Sequence, residues 1–325
     1  MRLPVYADVA RAGERLAGVA VRTPLLENAT LDALTGGRIL LKPECLQRVG
    51  AFKLRGAYNR IADVDAEAFP GGVVACSSGN HAQGVAAAAA LLGHRAAVVM
   101  PADAPALKIE RTRSLGAEVV LYDREREDRD AIARTIGAER RADFIHPFDD
   151  AGVIAGQGTV GLEIVADARG RGAALDAVLV PCSGGGLASG IALAAKHHDA
   201  RIAVHTVEPH GFDDYARSLA AGERLSNARV SGSIADALMA PSPGHIPFAI
   251  ASALLGPGLV VTDAELRTAM RFAFAELKLV LEPGGAAALA ALLAGRYDAR
   301  GRTVAVVLSG GNVDAASFGA IIAGA

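Results

Sequence analysis

Val73-Val74-Ala75-Cys76-Ser77-Ser78-Gly79-Asn80-His81 begins as an apolar strand and ends as a polar turn. The alanine-rich run 82–92 follows it as a helix and stops at Gly93. This strand, turn and helix set the style of the chain. Residues 96–100 read as a strand stopped by Pro101, and 106–115 as a helix closed by Gly116. Next come a strand at 118–122, a helix at 126–136 closed by Gly137, and a brief strand at 144–146 before Pro147. Strands alternating with helices of this length predict βαβ units and a parallel sheet.

The same alternation appears on either side of this block. Residues 38–42 predict a strand and 55–64 a helix. Farther on, a helix at 158–168 precedes a buried strand at 176–181, which ends in Ser183-Gly184-Gly185-Gly186. A helix at 187–196, a strand at 202–207, helices at 263–278 and 286–293, and a last strand at 303–308 complete the pattern. That last strand ends in Ser309-Gly310-Gly311-Asn312. Residues 230–245, rich in proline, serine and glycine, read as an ordered loop over a site. Two α/β lobes are expected. The smaller, 63–147, is inserted between 1–62 and 148–325, which together make the larger.

Composition narrows the function. The 325 residues are 51% hydrophobic with a formal net charge of −2, and no long run of one sign suggests a nucleic-acid surface. The most apolar windows, 85–92 and 286–294, fall far short of the roughly 20 residues that cross a bilayer. The N-terminus lacks the basic and apolar segments of a secretory signal. Cys45, Cys76 and Cys182 are widely spaced and make neither a disulfide framework nor a zinc motif. A cytoplasmic protein without membrane or nucleic-acid partners is expected.

Three polar or glycine-rich turns, at 77–81, 183–186 and 309–312, fall at the carboxyl ends of predicted strands. In open parallel sheets that edge binds ligands. Glycines at 184–186 let the backbone approach an anion, and the following helix start adds free N–H groups. A phosphate is the expected guest. No lysine-threonine pair follows, so this is not a Walker loop, and Ser189 breaks the dinucleotide G-x-G-x-x-G pattern. Ser77 to His81 also opens a helix, where amides suit a carboxylate. His81 itself reads as a first-turn helix residue without chemistry of its own. Lys53, in Gly50-Ala51-Phe52-Lys53-Leu54-Arg55-Gly56-Ala57, sits among groups that favour burial. Burial removes solvation from an ammonium and lowers its pKa, which suits Schiff-base chemistry with a carbonyl cofactor.

These residues resemble the fold-type II pyridoxal-phosphate enzymes of the threonine/serine dehydratase and serine racemase group. The resemblance runs from Arg22-Thr23-Pro24-Leu25 through the lysine segment, Ser77 to Gly84, His146-Pro147-Phe148-Asp149-Asp150 and Ile154-Ala155-Gly156-Gln157-Gly158-Thr159, to Ser309-Gly310-Gly311-Asn312. It implies a two-lobed α/β fold of open, largely parallel sheets with pyridoxal 5'-phosphate in the cleft. Lys53 would carry the cofactor and act as base at Cα, with Phe52 against it. Ser183, Gly184, Gly185, Gly186 and Leu187 would bind its phosphate. Asn80 would meet its ring hydroxyl and Ser309 its ring nitrogen. Ser77, Ser78, Gly79, Asn80 and His81 would hold the substrate carboxylate.

The implied activity is elimination of water from a small β-hydroxy amino acid such as L-threonine or L-serine, giving a 2-oxo acid and ammonia. The alternatives are 3-hydroxyaspartate as substrate, or serine racemisation with Ser78 as a second acid/base. A non-catalytic binding protein is a further rival, opposed by retention of the cofactor positions. Some serine racemase-like members hold a divalent cation. Glu208, the Phe212 carbonyl and Asp214 fit that spacing, and oxygen ligands suit Mg2+ or a similar ion. A homodimer or homotetramer is expected.

Overall fold

The computed structural model of the chain describes residues 2–77, 79–104, 106–123 and 125–324. Among them, two parallel sheets form. One has the order β1-β9-β6-β7-β8, from β1 (Arg38–Pro43), β6 (Ala177–Pro181), β7 (Ala203–Pro209), β8 (Leu259–Val261) and β9 (Thr303–Leu308). The other has the order β4-β3-β2-β5, from β2 (Val73–Cys76), β3 (Ala96–Pro101), β4 (Glu118–Tyr122) and β5 (Asp143–Phe144). All pairings between these strands are parallel.

The central strands β6 and β9 of the larger sheet are almost wholly apolar because both faces are covered. Ile39, Leu41, Leu179, Val304 and Val306 pack on one side. Their neighbours Leu40, Val178, Val180, Ala305 and Val307 pack on the other. Period-2 geometry sends alternate residues of one run into two cores.

Helix boundaries depart from the expected ones where a glycine reads as a stop. The helix expected from 158 spans Ala151–Gly170, capped by Asp150, whose carboxylate accepts from the Val153 amide at 2.9 Å. Its interior glycines mark close packing. A Cβ on Gly156 would stand 2.4 Å from the Arg55 carbonyl oxygen, and one on Gly158 would stand 2.7 Å from that of Gly190. The helix Lys53–Ile61 is thereby clamped against Ala151–Gly170 on one side. On its other side, a Cβ on Gly84 would stand 3.0 Å from the Lys53 carbonyl carbon. Similarly, Gly137 lies inside the helix Arg129–Arg140, which ends at Arg141 in the left-handed region. Asp128 sets its start, accepting from the Asp130 and Ala131 amides.

The loop expected over 230–245 gives way at His245 to the helix His245–Leu254. Its cap comes from elsewhere in the chain. The Asp149 carboxylate accepts from the His245 and Ile246 amides at 3.0 and 2.7 Å. The short strand β8 has no readable signal of its own in the sequence.

Candidate active site

The carboxyl ends of β2, β6 and β9 converge on one cavity of about 170 Å³. Phe52, Lys53, Ser77, Gly79, Asn80, His81, Ser183 to Leu187 and Ser309 all line it. Ser78 lies outside the described residues. Glu208, Phe212 and Asp214 do not reach the cavity.

Backbone pairing places the lysine. Ala51 bridges Gly310 in antiparallel fashion, and the Phe52 amide donates to the Ser309 carbonyl at 3.2 Å. The Lys53 side chain is half-buried, and its Nζ donates to the Pro147 carbonyl at 2.8 Å. No carboxylate pairs with this amine among the described residues. Burial therefore pulls its pKa down to about 8.

Beneath it lies a charge network that the sequence does not disclose. Arg55, two residues on, is fully buried. It grips Glu44 with Nε and NH2 at 2.8 and 2.9 Å, and Glu163 with NH1 and NH2 at 2.7 and 2.9 Å. Lys42 donates to Glu163 at 2.6 Å and to the Thr23 carbonyl at 2.7 Å, while the Thr23 hydroxyl donates to Glu44 at 2.7 Å. Two cations and two carboxylates balance. Burial pushes the Glu44 carboxyl up, but Arg55 outweighs it and holds the group below its usual range.

The helix Asn80–Leu92 presents its N-terminus to the cavity. Asn80 Nδ2 donates to Glu282 at 2.5 Å, and its Oδ1 accepts from Asn312 Nδ2 at 2.7 Å. The side chain is thus pinned at both ends, with one amide hydrogen left over. His81 is buried, with Nε2 at 3.0 Å from the Ile145 carbonyl. A carbonyl only accepts, so Nε2 carries the hydrogen. Burial lowers its pKa to about 3, with Lys53 adding to the shift, so the ring is neutral.

Glu282 belongs to the site, although in the sequence it reads only as part of a turn. Burial raises its carboxyl to about 7, against the Asn80 hydrogen bond that lowers it. Its folded pKa lies above the unfolded one. The stability it contributes is full below the unfolded value and is lost as pH rises through about 7. In the apoprotein, the stability difference between wild type and Glu282→Gln should therefore shrink or reverse between pH 4.5 and 7. Urea unfolding at several pH values checks this, and a pH-independent difference would refute it.

The glycine loop leaves no room for side chains. Cβ atoms on Gly184 and Gly185 would stand 2.3 Å from the rings of Phe148 and Tyr215, and Gly185 has φ +94°. The helix Gly186–His198 follows at once, so its first amides have no intrahelical acceptor. Ser183 accepts from the Ala240 amide at 3.2 Å, and the Gly184 carbonyl accepts from the Gly244 amide at 3.0 Å. Residues 236–241 of the covering loop also line the cavity, as do Lys108 and Arg129.

A buried amine without a carboxylate partner among the described residues and a glycine loop that opens a helix share one cavity at the edge of the parallel sheets, an arrangement suited to a phosphorylated carbonyl cofactor. The family model described as "Pyridoxal-phosphate dependent enzyme" matches residues 17–310, and the chain belongs to that family. It is 42% identical over 324 residues to an L-threo-3-hydroxyaspartate ammonia-lyase of Pseudomonas sp, covering 100% of each chain. Among solved structures, a threonine deaminase from T.th. is 44% identical, with a TM-score of 0.89 over 96% of this chain and 99% of that one. Maize serine racemase is 37% identical, with a TM-score of 0.92 over 97% and 96%. The site fits the family's cofactor: the cradle admits only glycine at two positions, the lysine amine is activated, and Gln157 Oε1 is buried without a partner on the same cavity.

Proposed function

We propose that the chain is a pyridoxal-phosphate-dependent ammonia-lyase that eliminates water from a small β-hydroxy amino acid, yielding a 2-oxo acid and ammonia. The observation that carries this reading is the Lys53 amine opening onto the cavity of loop 183–187. Pyridoxal phosphate, when bound, supplies the electron sink for charge developing at Cα. The loop amides and the helix start behind them hold its phosphate. Phe52 would flank it, Asn80 would hydrogen-bond its ring hydroxyl, and Ser309 would meet its ring nitrogen. The substrate carboxylate sits at the N-terminus of the helix Asn80–Leu92, with Ser77, Ser78, Gly79 and His81 around it. Lys53 takes the Cα proton, and a pKa of about 8 leaves enough free amine at neutral pH. The two lobes, 63–147 against 1–62 with 148–325, enclose substrate and exclude water. A cytoplasmic homo-oligomer acting on a free amino acid is part of this reading.

One observation favours 3-hydroxyaspartate over threonine or serine. Besides Lys53, the cavity holds Lys108 and Arg129, and a methyl side chain needs neither. Lys108 is paired with Asp236 at 2.8 Å, whereas Arg129 among the described residues has only the looser contact with Asp130 at 3.6 Å. Arg129 is therefore the better partner for a second carboxylate. Release of 2-oxo acid from L-serine, L-threonine and L-threo-3-hydroxyaspartate tests the activity, with D-serine measured alongside. Predominant D-serine would replace lyase by racemase. Arg129→Ala should lower kcat/KM for hydroxyaspartate by about 10- to 100-fold, the range of a lost charge-assisted hydrogen bond, and leave threonine within about threefold. Equal losses would mean that Arg129 serves the shared carboxylate or the fold.

Glu208 and Asp214, with the Phe212 carbonyl, are proposed as a divalent-cation site. No cluster of three or more His, Cys, Asp or Glu side chains suited to a metal occurs among the described residues. Support comes from two buried acids near each other. Burial and Asp214 together push the Glu208 carboxyl well up, and burial raises Asp214 to about 6, with its Oδ2 unpartnered. A cation would relieve that arrangement. Both Glu208 oxygens already accept amide hydrogens, from Tyr215 and Ala216, yet keep further lone pairs. Chelation should lower Tm by a few degrees, as expected for about 1 kcal/mol of linked binding. An unchanged Tm and activity would remove the site.

A further inference from the structure

Gln157 lies in the helix Ala151–Gly170, is 1% exposed, and lines the cavity beside the glycine loop. Its Nε2 lies 3.5 Å from the Pro147 carbonyl, the same oxygen that takes the Lys53 amine at 2.8 Å. Its Oε1 is buried and has no hydrogen-bond partner among the described residues. That oxygen stands 2.7 Å from where a Cβ on Gly186 would be, so it faces the loop. Turning the amide over would set two carbonyl oxygens against each other at Pro147. The acceptor therefore points into the cradle and the donor points away.

The loop itself offers backbone N–H groups and the Ser183 hydroxyl, and such donors favour a fully ionised phosphate. A buried carbonyl does the opposite. It is repelled by an oxyanion and accepts from a phosphate that keeps a hydrogen. We propose that Gln157 is the hydrogen-bond acceptor of the cradle and holds a proton on the phosphate of the bound cofactor. The inference rests on the assignment of loop 183–187 to that phosphate. The charged groups on the same cavity are Lys53, Lys108 with Asp236, Arg129 and Glu282. None of them hydrogen-bonds to Gln157, and only Lys53 shares an acceptor with it, so a shift on substitution reports the amide.

The test is phosphorus NMR of the holoenzyme across pH. In Gln157→Met, which keeps volume and loses the acceptor, the phosphate should titrate about one pH unit lower than in wild type, the scale of one hydrogen bond. Gln157→Asn, which retracts the amide, should shift the midpoint the same way and covers the case in which the methionine variant fails to fold. A higher midpoint would show the amide acting as a donor and overturn the proposal, and so would no change. Gly185→Ala separates the two assignments. If it perturbs the phosphorus signal and Gln157→Met does not, only the role of Gln157 falls. If both variants retain cofactor with an unaltered signal, the loop is not the phosphate site.

Discussion

Lys53→Ala should abolish the visible absorption of lysine-bound cofactor and lower turnover by about 10⁴-fold or more, since one residue supplies both the covalent link and the base. Borohydride reduction should fix cofactor to wild type and not to the variant. The amine is placed without a counter-charge among the described residues, and burial alone sets its pKa at about 8. Lys53→Arg keeps a cation but cannot form the carbon–nitrogen double bond, and it should be equally inactive. A variant that keeps the band would place the link on another amine and overturn the assignment. Far-UV circular dichroism separates this from misfolding. The packing around Lys53 is mostly backbone on backbone, through Gly84 and Gly156, and truncating the side chain leaves it intact.

The second large effect is on stability. Glu44→Ala should cost about 3–5 kcal/mol, because it takes from the buried Arg55 one of its two bidentate carboxylates, the one that is itself fully buried. Denaturant unfolding measures it, and a loss below about 1 kcal/mol would show that water or Glu163 compensates. Removing Glu163 should cost less, since its side chain is 14% exposed and water can reach the cations it leaves. The network ties β1, the segment before the lysine, the lysine helix and the helix Ala151–Gly170. Its loss should therefore also loosen the base of the site. Holoenzyme and apoprotein compared at one temperature would show whether cofactor affinity falls along with stability.

Much of the site is legible in the sequence because its parts are local. A strand ending in small polar residues declares itself over a short stretch, as at 77–81, 183–187 and 309–312, and the first two run straight into a helix. Apolar residues around Lys53 announce a depressed pKa, and the structure supplies burial as its cause. Ordered motifs along the chain then carry the family resemblance. Gln157 and Asn312 lie inside those motifs without a visible role, because a glutamine's task depends on which way its amide points. Arg129 and Lys108 look like ordinary helix charges. Arg55 reads only as the start of a helix beside the lysine, and nothing near it in sequence foretells two glutamates at its guanidinium.

Local pattern along the chain suffices for the α/β alternation, the parallel sheets and the three polar strand ends, since side-chain periodicity and glycine-rich turns act within a few residues. Tertiary structure alone decided which glycines were stops and which were contacts, as at Gly137 and Gly156, because that depends on what backbone approaches from another segment. It also decided that Glu282 holds Asn80, that Asp149 caps a helix far along the chain, and that Gln157 turns its oxygen to the loop. Each of these is a contact between distant segments. Its partners are fixed by where sheets and helices come to rest, and the order of residues along the chain carries no local trace of it.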